Sequence, residues 1–358
     1  MDAADGSYLF RIIYTTSRRC SIVGNESESG LLVTAATTET GKLAFMVCLE
    51  KTTKVTVCII THNQEKYIHR CLQSIVDQVT EFDFEVIVGE DCSTDGTRSI
   101  VQEFAERYPG IVKPIYQEKN IGGGVYNFLT VHRAAQGEYV AHIDGDDYAL
   151  PGKLQAQVNI LDSKLECTAV WHRVDYFDDA GGFCSGNTSD LSQFDSGKVH
   201  FAEAIRLGFI GVHSSLMYRR SAREVVSTHQ QTLDLYFTWD LLSKGSGYVI
   251  DEVLGRYRIA ASGSLTVSTS PKICKLAIRH AESFLKKHPE QRKNYFIWAI
   301  TCAVIEVRNL RRTAFNYILF ALRNIAFASP LDVLRNLINI RKIQVKWSRR
   351  DEFSPEKI

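Results

Sequence analysis

From Val55 to Asp147 the chain alternates short β-prone apolar runs with segments of helical period, and no other feature constrains its fold as strongly. Runs of strand length occur at 55–60, 84–89, 112–116 and 139–143. Between them, Ile68, Cys71, Leu72, Ile75 and Val76, then Ile100, Val101 and Phe104, then the stretch 127–135, carry apolar residues at helical spacing. Four strands alternating with three helices predict right-handed βαβ units, hence an α/β fold with a mainly parallel sheet. Ligands of such sheets bind at the carboxyl ends of the strands. Each notable polar cluster in this half of the chain follows one of those ends.

The most acidic cluster follows the fourth run, where Asp144, Asp146 and Asp147 fall within four positions and Gly145 and Pro151 stop the strand. Crowded carboxylates are costly at a buried strand end unless a cation joins them, and their hard oxygens suit Mg²⁺ or Mn²⁺. Because Mg²⁺ is usually held by one or two carboxylates plus substrate phosphates, Asp144 and Asp146 form a candidate platform for a metal and a diphosphate. The plainer alternative is a solvated acidic turn that caps the next helix. After the first strand comes Thr61-His62-Asn63-Gln64-Glu65, where Asn63 suits a helix N-cap. After the second, Asp91 closes the strand and is placed to accept from a nucleobase imide, and Ser93 to Gly96 form a turn able to start a helix. After the third, Asn120 and Gly122 to Gly124 precede Asn127, and three glycines before a helix can cradle a phosphate. They do not form the dinucleotide-binding glycine pattern, which belongs after a first strand.

At 358 residues the chain exceeds one ordinary core. It divides on pattern into a loosely organised extension at 1–53, an α/β domain at 54–262 and a basic helical region at 263–358. A net charge of +1 gives no general attraction to nucleic acid. Nine scattered cysteines, without paired-cysteine spacing or a Cys/His cluster, speak against a disulfide framework and a structural zinc site. No apolar run is long enough to span a bilayer, and the N-terminus has no signal-peptide layout, so a cytoplasmic protein is expected.

The second half supplies further candidates. The run 212–218 reads as a strand carrying His213, whose neutral imidazole suits a ligand or acceptor contact. A helix begins near Asp234 and includes Asp240, and the strand 247–258 ends in Arg256 and Arg258, whose guanidinium forks match diphosphate oxygens.

Taken in order, Thr61-x-Asn63, Glu90-Asp91-x-Ser93-x-Asp95-Gly96-Thr97, Asn120-x-Gly122 with Asn127, and Asp144-Gly145-Asp146-Asp147 resemble glycosyltransferase family 2 over roughly residues 54–262. The resemblance implies a GT-A fold and transfer of a sugar from a nucleotide-diphosphate donor, UDP-linked by preference, to a hydroxyl acceptor with inversion. It implies that Thr61, Asn63 and Asp91, with Glu65, Ser93, Asn120, Gly122 and Asn127, line the nucleotide site. Asp144, Gly145 and Asp146 would hold the metal and ribose-diphosphate, with Arg258 on the diphosphate. Asp234 is then the catalytic base and Asp240 its substitute. Many relatives carry a histidine where this chain has Ala260, which leaves two aspartates, substrate and water around the metal. Surface polysaccharide or a lipid-linked glycan is the implied acceptor. A non-catalytic sugar-nucleotide-binding relative is the alternative, with a metal-dependent phosphohydrolase behind it; the latter normally has its Asp-x-Asp after the first strand.

Between Arg308 and Arg350 ten Lys or Arg residues face one acid, Asp332. This tail suits either a helical cap with a solvated basic face or peripheral contact with an anionic membrane, the inner face of the plasma membrane for a cytoplasmic chain.

Overall fold

The computed structural model describes residues 8–14, 31–37, 43–50, 53–121, 125–179, 183–184, 194, 196–223, 234–259, 271–326 and 328–343. It divides into two units, Met1–Thr53 and Lys54–Ile358. The first contains β1 (Tyr8–Tyr14), β2 (Leu31–Thr37) and β3 (Leu43–Glu50), an antiparallel sheet in the order β1-β3-β2. This differs from the loosely organised extension expected from sequence.

The second unit opens with the alternation seen in the sequence: β4 (Val55–Thr61), α1 (Ile68–Val76), β5 (Phe84–Glu90), α2 (Thr97–Arg107), β6 (Val112–Tyr116), α3 (Val125–Ala134) and β7 (Tyr139–Asp144). The four strands are parallel and lie in the order β7-β4-β5-β6. All their carboxyl ends therefore open on one edge. The chain continues through β8 (Tyr148–Ala149), α4 (Lys153–Ser163), β9 (Cys167–Phe177), β10 (Phe183–Cys184), β11 (Lys198–Val199), α5 (Phe201–Leu207), β12 (Met217–Arg219), α6 (Asp234–Leu242) and β13 (Ser246–Arg258). Strand β12 is antiparallel to both β7 and β9, and β13 runs parallel to β9, which extends the sheet into the mixed α/β layer of a GT-A fold. The strand expected at 212–218 is shorter than predicted, because residues His213–Ser215 form one turn of 3₁₀ helix ahead of β12.

Strand parity divides the core. Val55, Val57 and Ile59 of β4, with Tyr139, Ala141 and Ile143 of β7, pack against Leu72, Phe104 and Leu154 on one face. Cys58 and Val140 point to the other face, which Phe128, Trp171, Phe237 and Trp239 fill. Four further helices, α7 (Pro271–Lys287), α8 (Arg292–Arg308), α9 (Ala314–Arg323) and α10 (Pro330–Ile343), join that second face. Trp239 of α6 meets Tyr295 and Trp298 of α8 edge-to-face, with centroids 5.1 and 5.6 Å away, so the helical region shares the core of the sheet. Among the described residues no helix is long and apolar enough to cross a membrane.

Candidate functional site

The loops after β4 and β5 are laced to one another. Asn63 sits at a φ of +50°, and its Oδ1 accepts from the Thr94 backbone at 2.8 Å while its own N–H donates to Ser93 Oγ at 3.0 Å. The N-cap role expected for Asn63 is not what forms: α1 begins five residues later, and no side chain caps it. Glu65 accepts from Gly96 N at 2.8 Å. Asp91 accepts from the Ile121 backbone at 2.8 Å and its own N–H donates to Thr61 O at 3.0 Å. The side-chain amide of Asn120 lies 3.0 Å from His62 Nε2. Thr61, Asn63, Glu65, Asp91, Ser93 and Asn120 thus form one rim across the ends of β4, β5 and β6. Gly122 and Ala260 lie outside the described residues.

Asn127 is placed elsewhere. It is buried in α3, where its amide donates to Gly89 O at 2.7 Å, and it braces α3 against β5 instead of facing that rim. Gly89 is small for the same reason, since a Cβ there would sit 2.4 Å from Asn127 Oδ1.

The end of β7 holds the acidic cluster. Asp147 is buried and saturated: Arg258 N–H donates to its Oδ1 at 2.7 Å and the Ser214 hydroxyl donates to Oδ2. Asp146 is held by Arg258, whose Nη2 and Nε converge on Oδ2 at 2.8 and 3.1 Å. Arg258 also reaches Asp179 Oδ2 at 3.3 Å and stacks over the Tyr67 ring, 4.3 Å from its centroid. Asp144 Oδ1 lies 3.1 Å from His142 Nε2. Gly145 allows this packing, because a Cβ would come within 2.6 Å of Gln64 Oε1 and 2.9 Å of the Thr61 side chain. Beside Asp146 opens a cavity of about 380 Å³ lined by Lys66, Tyr67, Arg70, Tyr148 and Phe177.

Burial pushes the Asp144 carboxyl up to about 6, with the charge of Asp234 adding to the shift and His213 and the Ser214 hydrogen bond opposing it. Burial followed by the charge of Asp144 raises Asp146 against the pull of Arg258, and burial followed by Asp146 and Asp144 raises Asp147 well above the carboxylate range. Three carboxylates resisting ionisation together are a site where added positive charge is favoured. Among the described residues no three side chains form a protein metal cage. The donor set fits a hard divalent ion that completes its shell with substrate oxygens and water, since Asp144 Oδ2 and Asp146 Oδ1 lie outside the bonds above.

Asp234 starts α6 and is the most exposed member of the constellation, its side chain 81% accessible; His213 Nδ1 lies 3.7 Å from its Oδ1. The His213 ring is stacked on Phe128 and tilted against His142, with centroids 5.0 and 4.6 Å away, which carries Asp234 to the edge of the acidic cluster. Burial pushes the His213 imidazole down to about 4, so it is neutral at pH 7. Asp240 is not brought there. It is nearly buried near the other end of α6, paired to Lys244 at 3.0 Å. Arg256 pairs with Asp175 at 3.1 Å, so it is Arg258 that meets the cluster.

Sequence reasoning missed His142. Strand parity was the available signal, because a histidine two positions before Asp144 shares its face.

Residues 56–226 match the model of Glycosyl transferase family 2. Protein Rv1520 of Mycobacterium tuberculosis is 45% identical over 213 residues, 58% of this chain and 60% of that protein. A putative teichuronic acid biosynthesis glycosyltransferase of Bacillus subtilis, TuaG, is 28% identical over 57% of this chain and 79% of its own length. The chain thus spans about 60% of the length of the mycobacterial relatives it matches. Among solved structures, S. aureus TarS 1–349 in complex with UDP-GlcNAc superposes with a TM-score of 0.59 at 19% identity, over 81% of this chain and 90% of that one. The rim across β4, β5 and β6 and the acidic end of β7 all lie within the matched residues. Over residues 56–226, this chain is thus similar to glycosyl transferase family 2.

Proposed function

We propose that this protein is an inverting glycosyltransferase that moves a sugar from a UDP-linked donor to a hydroxyl acceptor, with Mn²⁺ or Mg²⁺ on Asp144 and Asp146. The observation that carries the reading is the separation of two kinds of carboxylate at one sheet edge. Asp144 and Asp146 are desolvated and crowded beside Arg258, as a diphosphate-metal site requires, whereas Asp234 stands exposed beside a neutral imidazole, as a base requires. In this reading the rim from Thr61 to Asn120 receives the nucleoside, with Asp91 toward the base, and Arg258 exchanges part of its pairing with Asp146 for phosphate oxygens. The metal, when bound, supplies charge to stabilise the departing diphosphate. Asp234 takes the proton from the acceptor hydroxyl as it attacks from the opposite face of the sugar. The UDP-GlcNAc complex of TarS supports a UDP-sugar, and the name of TuaG supports a surface polysaccharide acceptor. Calorimetry with UDP and with GDP, each with and without Mn²⁺, tests the donor class: metal-dependent UDP binding is expected, and absence of binding to either nucleotide overturns the reading.

A lipid-linked acceptor is favoured by the C-terminal helices. On α9, Phe315, Ile318 and Leu322 lie at helical spacing on an exposed face, and on α10 Leu331, Leu334 and Ile338 repeat the pattern. Phe315, Leu322 and Leu331 are each more than 60% exposed. Exposed Arg308, Arg312, Arg323 and Arg335 neighbour these stripes, and Asp332, already paired with Lys293 at 3.0 Å, is the acid among them. An apolar stripe edged by cations fits an anionic bilayer surface, and it repels a second copy of itself. The protein is expected to float with phosphatidylglycerol-containing vesicles and to stay behind with pure phosphatidylcholine. Combining Phe315→Ser, Leu322→Ser and Leu334→Ser should cut the bound fraction about tenfold with the melting temperature maintained. Unchanged flotation removes the membrane from the reading, as does a change from dimer to monomer without vesicles.

A further inference from the structure

The acidic cluster is connected to a line of buried polar groups that the reaction outlined above does not use. Arg223 Nη1 lies 3.0 Å from Tyr218 OH. Tyr218 OH lies 2.9 Å from His132 Nδ1, His132 Nε2 lies 3.0 Å from His142 Nδ1, and His142 Nε2 lies 3.1 Å from Asp144 Oδ1. Tyr218 and His142 are fully buried and His132 nearly so, and Phe128 stacks on the His132 ring with centroids 3.8 Å apart.

The chemistry of the two ends fixes every proton between them. A guanidinium only donates, so the Tyr218 oxygen accepts from Arg223 and its O–H is left for His132 Nδ1. His132 then carries its proton on Nε2 and donates to His142 Nδ1, which leaves His142 protonated on Nε2 and donating to Asp144. An ionised carboxylate only accepts, so the far end requires the same direction. Reversing any one bond would leave two donors or two acceptors facing each other inside the core, where an unmatched polar group is costly.

We propose that Arg223, Tyr218, His132 and His142 form a one-directional hydrogen-bond relay that positions Asp144, holding its Oδ1 so that Oδ2 faces the metal. The four are positioning residues, and the proposal rests on Asp144 serving as a metal ligand. Groups that bond to a metal ligand typically change metal affinity 10–100-fold when removed.

Two measurements test it. Nitrogen-15 spectra of the histidine side chains, recorded without nucleotide or metal at pH 8, where Asp144 is ionised, should show His132 and His142 each protonated on Nε2 and bare on Nδ1. An Nδ1-protonated or doubly protonated ring at either position overturns the relay, whatever the nucleotide measurements give. The second uses Tyr218→Phe, which removes one hydroxyl and preserves the ring. The Mn²⁺-dependent gain in UDP affinity should fall about tenfold, with UDP binding in the absence of metal unchanged. His142→Phe should lose more, and His142→Gln, whose amide can donate to Asp144, should regain part of that loss. A Mn²⁺-dependent gain as large in Tyr218→Phe and His142→Phe as in the parent overturns the proposal. If the parent itself shows no such gain, the donor reading fails and the tautomers alone decide the relay.

Discussion

Asp146→Ala should abolish the metal dependence of UDP binding, lowering affinity in Mn²⁺ by about a hundredfold, or some 3 kcal/mol. The argument starts from the partners of this carboxylate. Asp146 Oδ2 takes both N–H groups of Arg258 in the free protein, so the carboxylate holds the guanidinium in place until a phosphate arrives. Alanine removes the proposed metal ligand and also releases Arg258, which keeps Asp179 and the Tyr67 ring as partners. A freed guanidinium favours a phosphate on its own account. Binding without metal should therefore hold steady or tighten slightly while binding with metal collapses onto it. Titrations with and without Mn²⁺ should converge in the variant. If they still differ as in the parent, Asp146 is not a ligand and the acidic turn after β7 is the solvated helix cap that its sequence also allowed.

The parallel half of the sheet was legible because each strand is a short β-prone run closed by turn residues, and its three helices announce themselves by period. Once β4 to β7 are parallel, four sequence clusters far apart in the chain must meet at one edge. That step needs only the topology. The three strands between Tyr8 and Glu50 were not legible in this way, because their antiparallel pairing in the order β1-β3-β2 does not require the strand–helix alternation that marks the rest of the chain. Asn63 shows a different limit. Its residue type suits a cap, yet a contact with Thr94, some thirty positions away, sets its conformation, and local chemistry does not contain that contact. Asn127 belongs to the same class: its place in the motif order suggested the nucleotide rim, whereas helix α3 turns it into the core against β5. His142 and His132 were hidden for the opposite reason. A histidine within an apolar run passes as an occasional core residue until its partners are known.

Asp234→Asn is expected to reduce kcat by about 10²- to 10⁴-fold, the usual range for removing a positioned base. The substitution preserves volume and hydrogen bonding but cannot take a proton. Asp234 is exposed and is not among the residues that bind Arg258, so UDP affinity in Mn²⁺ should remain within about twofold of the parent; the effect belongs to turnover. Asp240→Asn is the matched control. Six residues along α6 carry Asp240 about 9 Å further down the axis, and its bond to Lys244 occupies it there. Removing its charge should show as a stability loss on the order of 1–3 kcal/mol, read as a lower melting temperature, and leave the turnover of the folded protein within a few-fold. The pair separates the candidates cleanly. Turnover lost only in Asp240→Asn would move the base along the helix despite the Lys244 contact. Turnover surviving in both would mean that no carboxylate of α6 accepts the proton, and the single-displacement mechanism, which depends on a base across the sugar from Asp144 and Asp146, would have to be abandoned.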